Sequence, residues 1–172
     1  MRNINHDLKI GTKGEDNVKS ILDDVFGTLI NNNENNQFDN FDFKNDNFYV
    51  EHKHRIDLEL TEVKTKDNKY YNIKSLRKPK ARINGLFFDK CKYTKYLELS
   101  KENPNLRFFI CWTCNSTIDK DKIYYWEFKP DNSEYEEFKM RTDNGRGRYV
   151  LRDVINVISC NLNQLSSGMS FT

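Results

Sequence analysis

The strand-like pattern of NFDFKNDNFYVEHKHR, residues 40–55, carries Asp42, Glu51 and Lys53, charges usually kept away from a buried sheet face. Apolar alternation on both sides reads as two short strands joined at Asn45-Asp46, residue types that accept turn geometry. With a two-residue turn there, Phe43 faces Phe48, Asp42 faces Tyr49 and Asn40 faces Glu51. Opposed residues share a sheet face, as do residues two apart. Asp42, Glu51 and Lys53 then lie on one face, with Asp42 diagonal to Glu51. Phe41, Phe43, Phe48 and Val50 line the other. A slip of one residue would reverse the assignment.

Two carboxylates held on neighbouring strands suit a hard cation, since Mg²⁺ takes oxygen ligands and commonly one or two protein carboxylates. A lysine beside them can orient or deprotonate a water, or steady the charge of a phosphate. Together these groups are equipment for metal-assisted phosphodiester hydrolysis. The competing reading is a wet strand face whose charges form surface pairs. His52 points to the opposite face, where packing is the expected role, and His54 is expected at a solvated strand end.

The elements that must position these residues can be read along the chain. Residues 12–26, TKGEDNVKSILDDVF, carry Val18, Ile21, Leu22, Val25 and Phe26 at helical spacing, with Gly27 as the stop. TLINN begins a strand, the 40–55 hairpin follows, and IDLELTEVKT alternates as a further strand facing YYNIKS. GLFFDKCKYTKYLELSKENPN reads as a second helix, with Leu86, Lys90, Tyr93 and Leu97 on one face and Asn103-Pro104 as its end. LRFFICWTC and KIYYWEFK are strong strands, the first central. DNSEYEEFKMRTDNGRGR reads as polar and irregular, VINVIS as a late strand and SSGMSFT as a frayed tail. Strands clustered between helices predict an α/β or α+β domain with a mixed sheet and helices packed against it.

Length and composition agree with one domain over residues 1–172 that buries a proper core. No apolar run reaches the ~20 residues of a membrane span, and the N-terminus lacks the apolar core of a signal peptide. No membrane partner and an intracellular location, cytoplasm or nucleus, are therefore expected. Cys111 and Cys114 have the spacing of half a zinc site. On a strand, however, they point to opposite faces, and no second pair completes a site, so reduced core cysteines are expected. Net charge is only +2, yet Lys69, Lys74, Arg77, Lys78, Lys80 and Arg82 crowd one segment with no acid until Asp89. Such a patch suits a phosphate backbone, and a solvated lysine-rich loop fits it equally.

Asp42 followed by Glu51-His52-Lys53 resembles the D…(D/E)xK signature of the PD-(D/E)xK nucleases, a superfamily that includes restriction enzymes, Holliday junction resolvases and small viral and phage members. The similarity extends to the opening GTKGE and to the order helix, three strands, helix, strand. Phe41 replaces the proline of the family name. The resemblance implies a restriction-endonuclease-like αβββαβ core over about 12–128, an extension of extra C-terminal strands over 129–165 and a frayed tail over 166–172. It implies a Mg²⁺ or Mn²⁺ held by Asp42, Glu51 and the backbone carbonyl of His52, with Lys53 acting on the attacking water. Glu15 would assist from the first helix, although Thr12 and Glu15 also fit a capping box. Lys90 would support the site, while Arg55, Lys74, Arg77, Lys78, Lys80 and Arg82 would contact DNA. A second tripeptide, Glu62-Val63-Lys64, competes for the ExK role. The activity implied is metal-dependent DNA endonuclease, in some family members as a homodimer. The alternatives are a catalytically inactive nucleic-acid-binding protein on the same fold and an interaction protein with a merely wet acidic face.

Overall fold

The computed structural model describes residues 18–32, 41–115, 120–143 and 146–172. Helix α1, described over 18–26, buries Val18, Leu22, Val25 and Phe26, and Gly27 ends it with φ +78°. That left-handed backbone favours a residue without a β-carbon. β1 (Ile30–Asn31), β2 (Phe43–Lys44) and β3 (Phe48–Arg55) form an antiparallel meander. β4 (Leu58–Lys64) and β5 (Lys69–Ser75) pair as a separate hairpin, as their alternation predicts. β6 (Gly85–Asp89) leads into α2 (Lys90–Glu102) and then β7 (Arg107–Cys114), which runs parallel to β3. β8 (Ile123–Glu127), β9 (Tyr135–Asp143), β10 (Tyr149–Ile158) and β11 (Asn163–Gln164) complete the chain.

The fold is mixed α/β. Its central sheet has the order β1-β2-β3-β7-β8-β11, parallel at β3–β7 and antiparallel elsewhere, beside a second sheet of order β6-β10-β9. β7 is buried along nearly its whole length because both faces are covered, which makes its sequence a continuous apolar run rather than an alternating one. Phe109 and Cys111 pack toward α1 with Phe43, Phe48 and Val50. Phe108, Ile110, Trp112 and Cys114 pack toward α2, the β4–β5 hairpin and the second sheet. β3 shares this arrangement, so its two faces meet two different cores. No helix among the described residues is long and apolar enough to cross a membrane.

Several expectations need correction. Gly85–Asp89 is a strand, and the second helix begins only at Lys90. Leu86 and Phe88 are buried beside β10, whose pairing with β6 outweighs local helical spacing. The stretch expected to be irregular contains β9, which pairs with β10 over nine residues. Its polar sequence is that of a strand exposed along most of its length. Half of the basic segment, Lys69–Ser75, is strand rather than loop. The tail is not frayed: the Phe171 N–H donates to the Val25 carbonyl at 2.9 Å, and its ring stacks on Phe26.

The four cysteines are free thiols, Cys91 and Cys160 exposed, Cys111 and Cys114 buried. Burial pushes the Cys111 thiol far up and that of Cys114 to about 12. A thiol reagent should therefore label two cysteines in the native protein and four in denaturant, because thiolate and access are both required. Rapid labelling of all four without denaturant would contradict this packing.

Candidate active site

The hairpin that carries the acidic residues closes one step later than its sequence suggests. Phe43 pairs with Val50 and Lys44 with Tyr49, and the Asn45 N–H donates to the Phe48 carbonyl at 2.9 Å. The turn residues are thus Asp46-Asn47. The cause is the Asn45 side chain, whose Oδ1 accepts from the N–H groups of Asn47 and Phe48 while Nδ2 donates to the Phe26 carbonyl. An Asx turn anchored on the end of α1 outweighs the simpler placement. The partners change by two positions, so Glu51 and Lys53 keep their face, and extending the register brings Asp42 level with Glu51 instead of diagonal to it. The chain bends at Asp42. Phe41 therefore leaves the face of Phe43 and stacks on Tyr96 at 4.1 Å, on the α2 side.

Asp42 Oδ2 accepts the His52 N–H at 2.8 Å, so the carboxylate is fastened to the free edge of β3 just beyond its pairing with β2. A strand residue directs its N–H and C=O to the same side, which turns the His52 carbonyl toward that edge as well. Glu51 is 2% exposed, on the floor made by β3 and β7. Its Oε1 lies 2.7 Å from Lys53 Nζ, and its Oε2 lies 3.5 Å from Lys92 Nζ without a hydrogen bond. The Tyr96 hydroxyl is also buried without a hydrogen bond, and burial first, then Glu51 and Asp42, hold its proton on.

Burial raises the Glu51 carboxyl above the usual range, with Asp42 adding to the effect and the two lysines opposing it. Burial works against the charge of Lys53, but Glu51, Asp42 and Asp89 outweigh it and hold the ammonium protonated. Lys53 is therefore a cation and a hydrogen-bond donor rather than a ready proton acceptor. On the opposite face, His52 Nε2 meets Thr113 Oγ1 at 2.6 Å, and burial lowers its pKa to about 3.

Other expected residues fall elsewhere. Glu15 lies outside the described residues. Lys90 pairs with Glu137 of β9 at 2.9 Å and not with the acidic cluster. The neighbouring Lys92 reaches Glu51 instead, and Asp89, the N-cap of α2, influences Lys53. Lys92 has a signal in the sequence: it stands four residues before Tyr96, which is fully buried and occupies the same helical face. Glu62 and Lys64 pair with each other at 2.9 Å on the β4–β5 hairpin, apart from Asp42. Arg55 stacks over Phe87 with 4.5 Å to the ring centre and lies 3.5 Å from Asp57. Lys74, Arg77, Lys78, Lys80 and Arg82 are all exposed.

No three His, Cys, Asp or Glu side chains among the described residues cluster as a ready-made metal site. Two carboxylates and a strand-edge carbonyl still meet the needs of Mg²⁺, which keeps several waters and takes few protein ligands. Glu51 Oε2 and the Tyr96 hydroxyl, both buried and without a hydrogen bond, are compatible with such a group. No family model, curated protein or solved structure matches the chain.

Proposed function

We propose that this chain is a metal-dependent DNA endonuclease of the PD-(D/E)xK type. Glu51 carries the reading. Burying a carboxylate costs several kcal/mol, and this one leaves an oxygen without a hydrogen bond beside a second carboxylate. The chain order lends support: helix, three meandering strands, helix, and a strand parallel to the third, with the Leu58–Asp89 region inserted before α2.

In this reading Asp42, Glu51 and the His52 carbonyl would hold Mg²⁺ or Mn²⁺, which supplies Lewis acidity to the scissile phosphate. Lys53, kept protonated, donates to a water or a phosphoryl oxygen and balances charge as it develops. Lys92, 3.5 Å from Oε2, adds a second positive charge beside Glu51. Asp42, tied through Oδ2 to the His52 amide, is pre-positioned at the strand edge.

A second reading, a nucleic-acid-binding protein without catalysis, draws on the two lysines that flank Glu51 and could stand in for a cation. Supercoiled plasmid separates the two. With Mg²⁺ or Mn²⁺, the wild type and Glu62→Ala should nick, whereas Glu51→Ala and EDTA-treated protein should not. Loss in Glu62→Ala alone would move the site to the β4–β5 hairpin, and DNA binding without any nicking would favour the second reading.

A further inference from the structure

β6 pairs with β10 only from Ile158 up to Val154, where Asp89 is the last partner. Beyond it, β9 and β10 continue alone as a two-stranded ribbon up to Tyr149 opposite Asp143. Five residues at ~3.4 Å each make this projection roughly 17 Å long. Two strands alone are marginally stable in water, and this pair is an unusual one to leave uncovered. Of the eight large hydrophobic residues exposed among the described residues, three lie on it, Tyr149, Val150 and Leu151, and a fourth, Phe138, lies at its base opposite Val154. The same region is basic, with five Lys or Arg between positions 139 and 153 against two acids, Asp143 and Asp153, the latter 3.1 Å from Lys139.

The ribbon is aimed as well as charged. Leu151 opposite Arg141 and Asp153 opposite Lys139 share the face that carries Tyr135, Ile155 and Val157 at its base. At that base the Tyr135 and Tyr93 hydroxyls meet at 2.7 Å, and Glu137 holds Lys90, so this face continues directly from α2. Arg152 lies 3.8 Å from Asp89, the carboxylate that also acts on Lys53. A cleft of about 400 Å³ at this junction is lined by Asp89, Lys90, Cys91, Thr94, Arg152 and Asp153.

We propose that the ribbon, residues 139–142 and 149–152, is an arm that enters the major groove of duplex DNA and presents the duplex to Asp42, Glu51 and Lys53. The inference rests on the nuclease reading for the last step only. Lys139, which leaves its pairing with Asp153, and Arg141 meet phosphates, and Tyr149 and Leu151, on the same face, enter the groove. The B-form major groove, about 12 Å wide, admits a two-stranded ribbon, whereas that of A-form RNA is too deep and narrow. Arg141 already lies over the Tyr149 ring, with 4.7 Å to its centre, which holds both side chains in place before DNA arrives. The excess of cations also argues against a second copy of the ribbon as its occupant, because like charges would be brought together.

Fluorescence anisotropy on a labelled duplex, with EDTA present, tests the arm. Lys139→Gln/Arg141→Gln should weaken binding roughly tenfold or more at 0.1 M salt and reduce the salt slope by about 2. Tyr149→Ser/Leu151→Ser should weaken binding with the slope unchanged. Wild-type affinity in both pairs of variants would overturn the arm, as would equal binding of duplex RNA. A change of mass by light scattering in either pair would do the same, by making the ribbon a self-association surface. Plasmid cleavage by the wild type separates this from the chemistry: ribbon-dependent binding without cleavage would end the nuclease reading and leave the arm standing.

Discussion

Glu51→Gln should cut Mg²⁺-dependent cleavage about a thousandfold, since Lewis-acid stabilisation is worth several kcal/mol and each ~1.4 kcal/mol is tenfold in rate. The substitution keeps the size of a side chain that is 2% exposed and replaces a charge that burial opposes. Folding should therefore survive, and duplex binding in EDTA should hold, because removing one negative charge does not weaken contact with phosphate. Asp42→Asn should behave alike, as its oxygen can still accept the His52 amide. Lys92→Ala is a milder lesion, expected to cost about tenfold, the lower end of what is lost with an outer partner of a metal ligand. Single-turnover cleavage at saturating protein measures all three. Full activity in both carboxylate variants would remove the basis of the assignment.

The second large effect is on stability. His52 titrates at about 3 in the folded protein, against 6.5 for an ordinary imidazole, because its buried ring disfavours the charge first, with His54 and Lys53 adding to this. A lowered pKa gives stability that is fully present above pH 6.5 and is lost as pH falls toward 3, since the unfolded chain takes up the proton first. The difference amounts to on the order of 5 kcal/mol by pH 3, at ~1.36 kcal/mol per unit. His52→Gln retains a hydrogen-bonding group for Thr113 but cannot titrate. Denaturant unfolding between pH 7 and pH 3, in EDTA, should show a steep acid limb in the wild type and a flatter one in the variant. Parallel limbs would mean that His52 gains its proton without unfolding.

The parts that sequence made legible are those governed by one period. The stripe of α1, the alternation of β4 and β5 and the continuous apolar run of β7 each have one consistent solution. The face shared by Glu51 and Lys53 was legible for the same reason, because parity survives a shift of two. What escaped depended on long-range partners. Gly85–Asp89 carries an apolar pattern open to helix or strand until β10, some 70 residues later, pairs with it. β9 hides because an exposed strand need not alternate. Lys90 and Lys92 are both lysines near the start of one helix, and the helix beginning at Lys90 determines which of them faces Glu51.

The packing of Phe171 has a consequence for synthesis. Its ring closes the apolar face of α1 between Phe26, Phe109 and Tyr125, with the Arg107 guanidinium above it. Residues 26 and 171 are 145 positions apart, so at ribosomal speeds α1 emerges roughly seven to thirty seconds before its cover. For that interval Phe26 lacks the ring that stacks on it in the finished protein. Any factor that slows elongation lengthens it, while the acidic cluster, on the far face of β3, is shielded by α2 well before.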